Sequence, residues 1–84
     1  MLVAILLIKL ASTKEKEVYE MLKTLPEVAD CRVVFGEYDI VVRIEVSDFN
    51  CLIETVTEKI ALTPGVVDVK VNLPYTVVRR KLGM

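Results

Sequence analysis

Pro26, Val28, Asp30, Arg32, Val33 and Phe35 recur, in the same order and at the same spacing, as Pro64, Val66, Asp68, Lys70, Val71 and Leu73. Such a correspondence marks a duplicated supersecondary unit. Before each copy the chain shows helical periodicity, and before that a strand-like run, so each half reads strand, helix, proline turn, strand. Two such halves joined by a hairpin make βαββαβ, an α+β ferredoxin-like sandwich with a four-stranded antiparallel sheet and two helices on one face. A doubly wound dinucleotide-binding fold would need more strands and a glycine fingerprint. The 84 residues leave room for one domain, spanning 1–84 with its core in 2–73. Residues 74–84, with Arg79, Arg80 and Lys81, read as a basic tail or short edge strand.

The run 2–10 (LVAILLIKL) is continuously apolar over a length that suits a strand covered on both sides. No basic residues precede it, Lys9 interrupts it, and a membrane span would need about 20 apolar residues. Ser12 and Glu15 have capping-box spacing, which predicts a helix over 13–24 that buries Val18, Met21, Leu22 and Leu25 and stops at Pro26. Asp48 is placed to cap a second helix over 49–62, with Phe49, Leu52, Ile53, Val56 and Ile60 as its buried stripe and Cys51 opposite it. After Pro64-Gly65, alternation of Val67, Val69, Val71 and Leu73 with Asp68, Lys70 and Asn72 predicts the last strand, which Pro74 limits.

The middle strands, 28–35 and 38–46, alternate with period two. Ala29, Cys31, Val33 and Phe35 share one face, as do Tyr38, Ile40, Val42, Ile44 and Val46. A two-residue hairpin at Gly36-Glu37 would set Cys31 opposite Val42, Val33 opposite Ile40 and Asp30 opposite Arg43. A slip by one residue would oppose apolar to polar, so the pattern supports this register.

Composition removes several functions. Eleven Lys and Arg against twelve Asp and Glu lack the basic surplus that phosphate binding rests on, so direct nucleic-acid binding is not expected. The chain has no His, and Cys31 and Cys51 lack paired-ligand spacing. No metal site, cofactor or catalytic set is signalled, and free thiols suit a reducing cytoplasm. The loop Ala11-Ser12-Thr13-Lys14 has neither the Arg of an acylphosphatase nor the thiols of a copper chaperone. The first strand has no aromatic residue on which RNA bases would stack, and the third has only Tyr38 at its edge. No base or nucleophile is arranged around Glu37 and Asp39, so the chain does not read as an enzyme.

With helices on one face only, the first strand faces a difficulty. Leu2, Ala4, Leu6 and Ile8 point one way and Met1, Val3, Ile5 and Leu7 the other. A monomer would leave one row largely in water, at a cost of roughly 5 to 10 kcal/mol in unrealised burial, comparable to a small domain's whole stability. The expectation is a homo-oligomer joined face to face through Val3, Ile5 and Leu7, with charges such as Arg43, Glu45, Asp68 and Lys70 paired or at the rim.

The segment Val34-Phe35-Gly36-Glu37-Tyr38-Asp39-Ile40 resembles the G-x-x-D hairpin of the Lrp/AsnC (leucine-responsive) family's ligand-binding domain, the RAM domain. Thr63-Pro64-Gly65-Val66 is similar to that family's proline-glycine approach to the last strand. The resemblance covers residues 2–73 and implies sheet-mediated dimers assembling into larger rings such as octamers. It also implies a small amino-acid effector bound between dimers at Gly36, Glu37, Tyr38 and Asp39. The chain begins at the first strand, so it is similar to stand-alone members lacking the helix-turn-helix and is expected to modulate relatives that carry one. On this reading Gly36 lets backbone approach the effector, or serves turn geometry alone. Asp39 faces the ammonium group or orders the loop, and Tyr38 walls the pocket or packs across the hairpin on Phe35. Val69 and Val71 stand where the family often offers hydroxyls, which favours an apolar effector. The alternative is a structural homo-oligomerisation module without a small ligand.

Overall fold

The run Leu2–Leu10 forms β1 at the interior of the sheet, where a strand apolar on both faces can be satisfied. The computed structural model describes residues 1–73. After β1 come α1 (Glu15–Lys23), β2 (Val28–Val33), β3 (Ile40–Val46), α2 (Phe49–Thr55), a π turn over Val56–Ile60 and β4 (Val66–Asn72). The strand order is β2-β3-β1-β4, and each ladder is antiparallel. This is the expected ferredoxin-like α+β sandwich. The tail or edge strand expected over 74–84 lies outside the described residues.

Ala4, Leu6, Ile8 and Leu10 of β1, with Ile40, Val42, Ile44 and Val46 of β3, form the sheet side of the core. Val18 and Leu22 of α1, Leu52 of α2 and Ile60 close it from the helix side. The register expected for the hairpin is present: Cys31 pairs with Val42, Val33 with Ile40 and Asp30 with Arg43. The two-residue turn is not. Strand pairing stops at Val33 and Ile40, and a single bond from Val34 N to Asp39 O (2.9 Å) closes a wider loop.

Strict alternation fails at matching places in the two halves. Ladder β2–β3 shifts between Val28 and Asp30, and ladder β1–β4 shifts opposite Val67, so Ala29 and Val67 are the extra residues of bulges. Each bulge resets parity. Val28 and Cys31 both pack on the core, as do Val66 and Val69, while Ala29 and Val67 are exposed. The turn leading in is shared as well: Val28 N donates to Leu25 O and Val66 N to Thr63 O, each at 3.1 Å.

The helices depart from expectation at their starts and faces. Ser12 caps nothing. Thr13 takes φ 67° and Lys14 stands at the N-cap of α1 without a side-chain bond, because Ala11 N is held by Gly65 O (2.8 Å) and the chain must turn sharply after it. Met21 is exposed. Asp48 does cap α2, accepting from Cys51 N at 2.8 Å. However, α2 buries Leu52 and Thr55, with Cys51 packed partly against the core, while Phe49 and Ile53 remain exposed. In the following turn Ala61 N reaches Val56 O, one residue beyond α-helical spacing. That added residue brings Ile60 inward where an unbroken α-helix would point Lys59.

Candidate functional site

The hairpin loop between β2 and β3 is held to the last turn of β1 rather than left to its own strands. Asp39 N donates to Ile8 O (2.9 Å), Leu10 N donates to Asp39 Oδ2 (2.8 Å), and Lys9 Nζ donates to Glu37 O (3.2 Å). Asp39 therefore orders the loop with both backbone and carboxylate. Gly36 has φ +126°, a region few side chains tolerate, and an added Cβ there would meet open space. Among the described residues, the N–H groups of Phe35, Gly36, Glu37 and Tyr38 have no hydrogen-bond acceptor, and Asp39 Oδ1 has no donor.

Gly36 and Glu37 are exposed, and Tyr38 and Asp39 half-buried, so all four candidate residues fall within one short loop. Phe35 is 99% exposed. Among the described residues it packs on no aromatic neighbour, and the cross-hairpin packing of Tyr38 on Phe35 is not formed, since strand pairing ends at Val33 and Ile40. Val69 and Val71 turn to the helix side: Val69 packs on the core and Val71 lines a groove against α2.

The other face of the sheet carries the second candidate surface. Val3, Ile5 and Leu7 are half-buried in the single chain rather than largely in water, since each has neighbours in register on β3 or β4: Val3 faces Glu45, Ile5 faces Arg43 and Asn72, and Leu7 faces Val41 and Lys70. Arg43 stands within this face on an interior strand, ion-paired with Glu45, and not at the rim. Asp30 and Arg32 pair nearby at 3.0 Å, which holds the Asp30 carboxyl below its ordinary range.

Some features carried no sequence signal. A polar recess of about 240 Å3 lies between α1 and β2, lined by Tyr19, Lys23, Asp30 and Cys31, with the Lys23 ammonium 5.0 Å from the Tyr19 ring centre. Burial pushes the Cys31 thiol up, away from nucleophile or ligand behaviour. Glu27 accepts from Lys59 Nζ at 2.5 Å, which pulls its carboxyl down. Among the described residues no group of His, Cys, Asp and Glu is placed to hold a metal, and no helix is long and apolar enough to cross a membrane.

Comparison with known proteins puts these features in context. The family model for the Lrp/AsnC ligand binding domain matches residues 3–81. Among solved structures, FFRP-DM1 is 36% identical with a TM-score of 0.85, over 88% of this chain and 99% of that one. The hypothetical protein PHS023 from Pyrococcus horikoshii is 36% identical with a TM-score of 0.83, over 88% and 89%. The transcriptional regulator NMB0573 from Neisseria meningitidis, solved as its L-Met complex, has a TM-score of 0.79 over 87% of this chain and 49% of its own. At 21% identity that likeness shows the fold alone. No curated protein matches the chain.

Proposed function

The chain belongs to the Lrp/AsnC ligand-binding-domain family, and from that premise we propose that it is an amino-acid-sensing and assembly module acting on transcription regulators of the same family. Its dimers form through the open sheet face at Val3, Ile5 and Leu7, with the Arg43–Glu45 pair inside the contact. Dimers join into a larger ring, and the effector binds between them at Gly36, Glu37, Tyr38 and Asp39.

The observation that carries this reading is the loop's unspent hydrogen-bonding capacity. Unpartnered N–H groups on Phe35 through Tyr38 suit a carboxylate, and Asp39 Oδ1 suits an ammonium group, so one short loop offers both halves of an amino acid's recognition. The L-Met complex of NMB0573 supports that ligand class, and the exposed Phe35 beside the loop favours an apolar side chain. A ligand shared by two dimers stabilises the larger assembly by the binding free energy it gains only there. The partners are then a second copy, an amino acid and a helix-turn-helix-bearing relative, with the site of action in the cytoplasm and no direct contact with nucleic acid.

Native mass spectrometry with and without an amino-acid mixture tests this in one measurement. A mass shift of one amino acid per loop, with growth of the larger species, is expected for the wild type and lost in Asp39→Asn. Silence across all twenty amino acids would leave the structural module without a small ligand as the answer.

A further inference from the structure

Phe35 is the most exposed large apolar side chain among the described residues, and neither the core nor the dimer face gives it a partner. It stands just past the end of the β2–β3 ladder, next in line on its face after Val33, which is itself 48% exposed. The loop that presents it is fastened. Val34 N is bonded to Asp39 O, and Asp39 is bonded in turn to Ile8 O and Leu10 N of β1. A phenyl ring held out in water this way forgoes about 1.5–3 kcal/mol of burial.

A socket of matching size and chemistry lies at the other edge of the sheet. Phe49, Leu52, Ile53, Val56, Thr57 and Val71 line a groove of about 220 Å3 between α2 and β4. A cavity of about 150 Å3 lined by apolar side chains holds benzene, so a phenyl ring fits. The one polar lining group is already engaged, since the Thr57 hydroxyl donates to Ile53 O at 2.7 Å. Phe49 and Ile53 are about half exposed, and Phe49 can meet an incoming ring edge to face. Within one chain the two cannot meet. Phe35 follows β2 at one edge, whereas Val71 belongs to β4 at the other, roughly 14 Å away across three strand spacings. The groove is on the helix side, so dimers that pair their open faces still present it outward.

We propose that Phe35 of one dimer seats in the α2–β4 groove of a neighbouring dimer, so that the larger assembly is built by a repeated knob-in-groove contact between copies of this chain. The inference rests on the reading of dimers that join into a ring, and it names the surfaces that join. Knob and groove are different surfaces, so the contact is heterologous, and its repetition closes a ring when the rotation allows. A buried Phe contributes about 150–250 Å2, well short of the roughly 1,000 Å2 of a stable interface. One contact is therefore weak. Each dimer brings two knobs and two grooves, and the joint holds where several engage together. Because Phe35 precedes Gly36, seating it lays the effector loop against the neighbour's α2. The amino-acid pocket is then completed by a second dimer, which links binding to ring growth.

Native mass spectrometry of the full chain with the amino-acid mixture present tests the joint. Phe35→Asp and Ile53→Asp should each keep the dimer and lose the larger species several-fold or more. An equimolar mixture of the two, one with its groove intact and the other with its knob, should regain part of that species. Thr57→Glu serves in place of Ile53→Asp if circular dichroism shows that the latter fails to fold. Where p-benzoylphenylalanine replaces Phe35, illuminating a mixture of isotopically labelled and unlabelled chains should crosslink that position to residues 49–57 of another copy. Larger species that survive either substitution, a mixture that stays dimeric, or a crosslink that maps elsewhere would overturn this joint and leave the ring reading in place. A wild type that never exceeds the dimer would instead remove the ring reading itself, and the joint with it.

Discussion

Gly36 and Gly65 both take positive φ, but they answer to different constraints. At Gly36 only the backbone conformation excludes a side chain; at Gly65 (φ +101°) an added Cβ would also stand 2.9 Å from Val18 Cγ2 and 3.0 Å from Lys14 Cβ. Gly36→Ala should therefore cost about 1–2 kcal/mol from backbone strain. Gly65→Ala should cost a further 1–3 kcal/mol or so, because α1 must move. Urea denaturation of the two variants compares them directly, and equal losses would mean that α1 does not pack this closely. Asp39 separates structure from recognition in the same way. Asp39→Ala orphans the Leu10 N–H and should lose about 1–3 kcal/mol, while Asp39→Asn keeps an acceptor and should melt close to the wild type. Retained ring size and stability in Asp39→Ala, as the purely structural module would suggest, would conflict with the Leu10–Asp39 bond itself. The Gly-x-x-Asp spacing was legible in the chain, but Asp39's bond to β1 was not, since the partner is a backbone amide far away in sequence.

Elements are joined at their ends as much as along their faces. Glu27, in the turn before β2, accepts from Lys59 of the π turn, and this bond holds the Glu27 carboxyl below its usual 4.5. A depressed carboxyl stabilises the fold fully above the unfolded value and loses that contribution as pH falls through the folded one. Glu27→Gln should thus lie about 1 kcal/mol below the wild type at neutral pH, and the gap should close below pH 4.5; denaturant melts at both extremes show it. Asp48→Ala should cost about 1 kcal/mol through the lost α2 cap, read in the same melts. The Asp48 cap was foreseen because Asp before an apolar-periodic run has few other uses. Ser12 misled because its neighbours are committed to Gly65, and the paired bulges at Ala29 and Val67 were hidden because period-two counting assumes an uninterrupted strand.

At the scale of the whole molecule the two faces of the sheet meet different fates. The helix side is buried by α1 and α2, while Val3, Ile5 and Leu7 on the other side are only partly shielded by in-register neighbours. Leu7→Lys should abolish dimers in light scattering at micromolar concentration while leaving the monomer folded by circular dichroism, because none of the buried core lies on that face. A wild-type protein that runs as a monomer would remove the basis for both the dimer and the ring. The bare face was foreseen from β1 alone, but its extent was overstated: flanking Arg43, Asn72 and Lys70 stand close enough to cover part of the row.

The duplication, the hairpin register and the βαββαβ fold class followed from the chain alone, because they rest on which side chains recur and alternate, and a slip of one residue would reverse every face at once. Tertiary contacts decided the rest. Where the helices start, which of their faces turns inward, where the strands bulge and how the loop is fastened all depend on backbone groups meeting partners from distant segments, such as Ala11 with Gly65 and Leu10 with Asp39. A side-chain pattern records what must be buried; it carries no trace of which remote amide a given carbonyl or carboxylate will hold.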